Sequence, residues 1–537
     1  MTELAKRRSE GEASARASTP EENALRDAGD TAAQARLELM LVSGGDERIW
    51  PDPVSRRNRY GTPGLPAPDE LWFSSSTASA ITARGHAAAK VALDSLAPFD
   101  GGRGRDPAGW FDALRGRICD LLGVPGTEAI LSASGTEAEL MTLALAKTLL
   151  RRPVANIIVA PDETGSGVIH AAAGTHFAAT AAFEPHVEKG APLAGWNRDG
   201  VETMRVDIRD AAGRPRDAAA IDRDACASVE RALLAGQDAL LHVLDTSKTG
   251  RGGPSRALAR EIARSAGDRA LVVVDACQLR CSFDQIKADL ESGFLVMVTG
   301  SKFAGGPPFC GALLVPPGFA GRLRELRLPN CLAAYSARLD WPLTLSAALN
   351  DRPFALANLG MGLRWEAALG EIEAYAKIPA RRRADIAAAF AQAVRRGVAA
   401  NESLDFLDDT LWRLNGEPAT IFPILTHEGD ERQARLIYEA MRAPGRGPAD
   451  LSAPELSRPC HLGQPVVIGK RAALRMCFSM PQANFVAARL CEGMTLDAAF
   501  RPVREDIELT FRKWAALAKR FAATGAAPAS SPNIVRP

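Results

Sequence analysis

Between residues 129 and 315 the chain alternates short, unbroken apolar runs with stretches of helical spacing. The runs 129–133, 155–160, 239–244, 270–275, 294–299 and 311–315 are too short for buried helices. They also lack the apolar–polar alternation of a half-exposed strand, so they predict strands buried on both faces. The segments 106–122, 135–150 and 255–265 repeat apolar residues at helical spacing. Strands alternating with helices predict an α/β fold: a mostly parallel mixed sheet sandwiched by helices. After about residue 353 the strands thin out, two helices are expected at 354–377 and 380–397, and a mixed region follows to about 520. The organisation expected is a disordered tail over 1–45, an N-terminal arm over 46–105 and a large domain over 106–350. A smaller C-terminal α/β domain with a linking helix then covers 351–523, and 524–537 is a second disordered tail. The stretch around 183–238 reads as an insertion.

Charge and cysteine usage narrow the setting. Sixty-five Lys+Arg against 64 Asp+Glu leave a formal charge of +1, which gives no bulk attraction for nucleic acid or an anionic membrane surface. No apolar run approaches the roughly 20 residues that span a bilayer, and the N-terminus has no apolar stretch after its basic residues. Nine cysteines are scattered without CxxC pairs, a pattern suited to the reducing cytoplasm and not to a disulfide framework or a zinc site. A soluble cytoplasmic protein without a bound metal is expected.

Four pieces carry chemistry, the first three at predicted strand ends, where open α/β sheets bind ligands. Ser134-Gly135-Thr136 leads from a strand straight into a helix, so free backbone N–H groups and two hydroxyls can cradle a phosphate. Asp275 closes a buried strand, where a carboxylate needs a cation or a polar cleft. Lys302 follows the apolar run that ends Thr299-Gly300-Ser301, and an amine held out of bulk water is a competent nucleophile. Arg475 lies inside the apolar segment AALRMCFSM, where a guanidinium calls for a carboxylate. Singly, each has a plain structural explanation, such as an ordinary N-cap at Ser134. Together they ask for a ligand with a phosphate, a carbonyl that reacts with lysine and a basic ring nitrogen, plus a substrate bearing a carboxylate. Pyridoxal 5′-phosphate (PLP) with an amino acid meets these demands.

The run VVVDACQLRCSFDQIKADL…VTGSKFAGGPPFCGALLV resembles the core of fold-type-I PLP enzymes, and within them the class V aminotransferase and cysteine desulfurase branch. The resemblance covers about 110–335 and, weakly, the remainder to about 520. It implies that Lys302 holds the cofactor as a Schiff base and shuttles the Cα proton, and that Asp275 keeps the pyridine nitrogen protonated. It gives Gln278 the phenolic oxygen or the Schiff-base region, and Gly135, Thr136, Thr299 and Ser301 the phosphate. Ser247 falls about where the family has an asparagine on the phenolic oxygen. Thr164, in ProAspGluThrGlySerGly, stands where the family stacks a histidine on the ring; His170 or His176 are candidates to cover that face instead. In Cys460-His461-Leu462-Gly463-Gln464-Pro465, Leu462 occupies the position of the desulfurase nucleophile, which disfavours a persulfide-forming reaction and leaves Cys460 as a displaced candidate. Arg475 keeps its part as carboxylate clamp. Asn58–Gly61 and Ser74–Ser79 can line the mouth of the site, and Tyr335, Arg338 and Arg364 are further candidates for substrate contacts. Gly305-Gly306-Pro307-Pro308 resembles the segment through which a second subunit reaches the phosphate, implying a homodimer with shared active sites.

The reaction expected is elimination or replacement at Cβ or Cγ of an amino acid, by a biosynthetic lyase or transferase. Transamination, decarboxylative or aldol-type C–C chemistry, and a non-catalytic PLP-fold binding protein remain as alternatives.

Overall fold

The computed structural model describes residues 32–523 except 97–103, 194–195, 197–199, 325–326, 347–348, 350–353, 409–416, 427–429 and 444–456. The tails expected at 1–31 and 524–537 lie outside the described residues. The strands are β1 (Leu71–Phe73), β2 (Glu128–Ser132), β3 (Val154–Val159), β4 (Val201–Val206), β5 (Asp238–Leu244) and β6 (Ala270–Ala276). They continue with β7 (Leu295–Thr299), β8 (Gly311–Val315), β9 (Leu404–Phe406), β10 (Ile421–Thr426), β11 (Cys460–Ile468) and β12 (Arg471–Cys477).

Seven strands form the larger sheet in the order β2-β8-β7-β6-β5-β3-β4. Only β8 runs against its neighbours, pairing antiparallel with β2 and β7, so the sheet is mostly parallel as expected. Both faces are covered, which is why the strands read as continuous apolar runs. Val272, Val274, Val296 and Val298 join one core together with Trp110, Phe111 and Ile118 of the helix Pro107–Leu122. Leu271, Val273, Leu295 and Met297 point the other way and pack with Leu140, Leu143 and Ala144 of the helix Gly135–Leu149.

The smaller sheet has the order β1-β11-β12-β10-β9. Its outer strand β1 comes from the N-terminal arm and pairs parallel with β11, Leu71 opposite Cys460. The smaller sheet is therefore not built from the C-terminal region alone. The linking helices are Leu359–Ala376 and Ala380–Ala399, close to expectation.

Two expectations need correction. The tail expected over 1–45 includes a helix at 32–41, in which Leu37 and Leu41 are 1% and 3% exposed and join the main core. Arg364 of the linking helix binds this segment, donating to the carbonyls of Leu41 (3.1 Å) and Ser43 (2.6 Å). The insertion read at 183–238 holds two fold elements: β4, which pairs parallel with β3 and closes one edge of the larger sheet, and the helix Ala218–Leu234. That helix buries Ile221, Ala225, Val229 and Ala232, spaced as one helical face.

Candidate active site

The C-terminal ends of β3, β5, β6 and β7 and the N-terminus of the helix Gly135–Leu149 converge on one cavity. It gathers Ser134, Gly135, Thr136, Thr164, Asp275, Gln278, Thr299, Ser301 and Lys302 of the residues expected. Strand parity explains how: Met297, Thr299 and Ser301 alternate inward along β7 and its exit, and His242, Leu244, Thr246 and Lys248 do so along β5 and its exit.

Ser134 caps the helix, its hydroxyl oxygen accepting the Glu137 N–H at 3.4 Å. As an acceptor there, Ser134 keeps its own proton for a ligand; the Ala138 N–H goes to Ser134 O at 2.9 Å, and the Gly135 and Thr136 N–H groups have no partner within the helix. A Cβ at position 135 would come 2.7 Å from Cys277 Sγ, so glycine is required for this close approach. The arrangement suits an anion with several oxygens, such as a phosphate.

Asp275 accepts the Cys277 N–H through Oδ1 at 3.0 Å while its side chain lines the cavity. Beneath it lies a buried polar chain that the sequence reading did not include. Asn156 donates to Glu139 Oε1 at 3.0 Å, and His242 Nε2 lies 2.9 Å from Asn156 Oδ1. Burial pushes the Glu139 carboxyl up to about 8, opposed by the Asn156 hydrogen bond and reinforced by the charge of Asp275. Burial also drives His242 down to about 3, so its ring is neutral and donates to the amide oxygen.

Lys302 enters the cavity and makes no ion pair among the described residues. Its backbone is fixed by the N-terminal arm: Ser79 Oγ donates to Lys302 O at 2.8 Å, and the Ser79 N–H to Ser301 O at 3.1 Å. Ser76, Thr77 and Ala78 of the same arm line the cavity, as does Tyr60. Gln278 is anchored to the arm as well, donating to Ser76 O at 3.0 Å.

Arg475 is 1% exposed and does not itself line the cavity; it sits behind two residues that do. Its Nη2 donates to Thr77 Oγ1 at 2.8 Å and to Gln464 O at 2.7 Å, whereas Nη1 is buried without a partner. An orphaned guanidinium nitrogen with no carboxylate at hand is costly unless a ligand supplies one.

Some expected roles do not survive the geometry. Ser247 faces away from the cavity and donates to Glu163 Oε2 at 3.0 Å; Thr246 and Lys248 on either side point in instead. Thr299 lines the cavity, but its only proton goes to Cys277 O at 2.6 Å, leaving none for a phosphate. Thr164 keeps its expected place in the cavity wall, its hydroxyl donating to Pro161 O at 3.1 Å. His170 and His176 are not in the cavity wall; His176 Nδ1 lies 2.6 Å from the hydroxyl of Tyr335. Cys460 is fully buried in β11, away from the cavity, and burial raises its thiol. Arg364 is a core tie, as described, and Tyr335 and Arg338 are also absent from the wall.

The sequence reading missed Arg48, Glu139, His242, Thr246, Lys248, Cys277 and Phe309 among the lining residues. Arg48 is held bidentate by Asp46, with Nη2–Oδ2 at 2.5 Å, and lies 5.2 Å from the Phe309 ring centre. Even parity along β5 would have found Thr246 and Lys248 from His242 onward.

No family model and no curated protein sequence matches the chain. Solved structures do. A cysteine desulfurase from Escherichia coli is 15% identical, covering 84% of this chain and 95% of its own, with a TM-score of 0.50. A cystine C–S lyase, solved with its reaction product cysteine persulfide, is 16% identical, covering 79% and 98%, again with a TM-score of 0.50. A serine palmitoyltransferase from Sphingomonas wittichii is 12% identical over 83% and 88%, with a TM-score of 0.48. The chain has the fold of the first two structures, and the fold-type-I architecture read from the sequence is borne out.

Proposed function

We propose that the chain is a PLP-dependent enzyme acting on an amino acid. The carrying observation is the meeting of Lys302, Asp275 and the Gly135 helix N-terminus in one cavity, with the unpartnered Nη1 of Arg475 behind its wall. The residues fit the cofactor. Ser134 has a proton to give, the Gly135 and Thr136 N–H groups are available, Asp275 is placed to face a ring nitrogen, and Lys302 has no competing carboxylate. When bound, PLP supplies an electron-withdrawing ring that weakens the bonds at a substrate's α-carbon.

The chain's own residues do the rest. Asp275 holds a proton on the ring nitrogen by placing a carboxylate beside it. Lys302 Nζ attaches the cofactor and, once displaced by the substrate amine, accepts and returns the Cα proton. Arg475, through its unpartnered Nη1, would hold the substrate carboxylate and so orient the α-carbon. The 74–79 arm, tied to Ser301 and Lys302, keeps the lysine in register with the smaller sheet.

Within that chemistry we favour elimination or replacement at Cβ or Cγ, with transamination second. Support comes from a cystine C–S lyase with the same fold and from the absence of a cavity-lining thiol at 460–462, which speaks against persulfide transfer on Cys460. A homodimer, by the resemblance of Gly305–Pro308, and a cytoplasmic location, by nine unpaired cysteines, belong to the same reading.

The test is product analysis of the PLP-loaded protein with single amino acids and no keto-acid acceptor. Keto acid and ammonium released over many turnovers mean elimination, and a new amino acid formed only with an added nucleophile means replacement. Release that stops after one turnover until an acceptor is added means transamination and overturns the first choice.

A further inference from the structure

One cation in the cavity has no part in that reading, on which the following rests. Lys248 follows β5 on the same parity as His242, Leu244 and Thr246, so its half-buried side chain enters the cavity. The charged groups facing it are Arg475, Lys302, Glu163 and Asp162. Neither carboxylate pairs with it. Glu163 is taken by Arg209 Nε at 2.6 Å and by Ser247, and Asp162 pairs with Arg205 at 2.7 Å. Lys248 and Lys302 thus line one cavity with Arg475 behind its wall, and none of the three has an ion pair among the described residues. The positive end of the Gly135–Leu149 helix opens into the same space. Gathering like charges in a sheltered site is unfavourable until a ligand brings matching anions. A phosphate at the helix N-terminus and a single carboxylate on Arg475 leave Lys248 unmatched.

We propose that Lys248 binds a second anionic group of the substrate, so that the substrate is an amino acid with an acidic side chain. Arg475 takes its α-carboxylate and Lys248 its side-chain carboxylate, sulfinate or phosphate. Burial, with Arg475 and Lys302 adding to it, pushes the Lys248 ammonium down to about 7 in the free site, against the weaker pull of Glu163 and Asp162. The acidic ligand binds the protonated form. Its affinity is therefore expected to fall as pH rises and Lys248 loses its proton, a dependence that Lys248 does not impose on a neutral amino acid.

The experiment titrates the PLP-loaded protein with L-aspartate, L-cysteine sulfinate, O-phospho-L-serine and L-alanine, following the visible cofactor band. At least one acidic ligand is expected to bind more tightly than L-alanine. In Lys248→Met the acidic-to-alanine affinity ratio should fall by about tenfold or more and lose its dependence on pH; Lys248→Arg should retain the ratio. The three acidic ligands distinguish which anion the site prefers. Equal affinity for all four, an unchanged ratio in Lys248→Met, or no response to any of them overturns the inference. A protein that develops no visible band with PLP instead defeats the reading beneath it.

Discussion

Asp275 is the penultimate residue of β6, its preceding residues Ala270–Val274 are all buried, and one of its oxygens is satisfied by the Cys277 N–H. What remains is charge directed into the cavity. Asp275→Asn preserves shape and that hydrogen bond while removing the charge. We expect the variant to bind PLP but to lose turnover by a factor on the order of 10²–10³, measured as kcat at saturating cofactor. An unchanged kcat would remove Asp275 from the chemistry. At this scale most of the site was legible, because strand ends carrying Asp275 and Lys302 stand out against apolar runs. What escaped was direction. The resemblance points to Ser247, yet strand parity sends it to Glu163 and brings Thr246 and Lys248 inward. Thr299 was favoured by its hydroxyl, but its proton was already committed to Cys277 O. Parity along β5 reaches the first of these once one inward residue is known, whereas the second depends on a backbone acceptor from a neighbouring strand end.

Among the elements, the strands buried on both faces were readable from their continuous apolar character, and those at the sheet margin were not. In β4 only Met204 and Val206 are buried, so it sends a weak signal and was read as part of an insertion. β1 has three residues and depends on β11, almost 400 positions later in the chain. Between these marginal pieces lies an ionic clasp. Arg209, just after β4, donates to Glu163 after β3 and grips both oxygens of Asp408, just after β9, at 2.8 and 2.9 Å. Arg251 adds a contact to Asp408 at 2.8 Å. The clasp joins the larger sheet to the smaller one, next to the cavity wall at Glu163. Removing Asp408 leaves Arg209 buried with one of its two carboxylate partners gone. We therefore expect Asp408→Ala to cost about 3–5 kcal/mol, measured by denaturant unfolding. Burial alone would raise the Asp408 carboxyl, but hydrogen bonds from Arg209 and Arg251 outweigh it and hold it below its ordinary value. A depressed carboxylate stabilises the folded state above its unfolded value and loses that contribution as pH falls through its folded one. The gap between wild type and variant should therefore narrow in acid, and a gap independent of pH would contradict the clasp.

At the scale of the whole molecule, the cavity exists because two sheets and an arm meet. The larger sheet supplies Asp275 and Lys302, the smaller one Gln464 with Arg475 behind it, and the arm fastens both through Ser76–Ser79. The thinning of strands after residue 353 points to a smaller C-terminal α/β unit, and nothing in the sequence points to the arm's place inside the smaller sheet. Among the described residues no helix is long and apolar enough to cross a membrane. One covalent bond is central to the proposed chemistry, that between Lys302 Nζ and the cofactor. The direct measurement is to incubate the protein with PLP, reduce it with borohydride and map the pyridoxyl group by peptide mass spectrometry. We predict an absorption band near roughly 400–430 nm before reduction, the label on Lys302 afterwards, and neither in Lys302→Ala. A label on Lys248 or another lysine, or no band at all, would contradict the account.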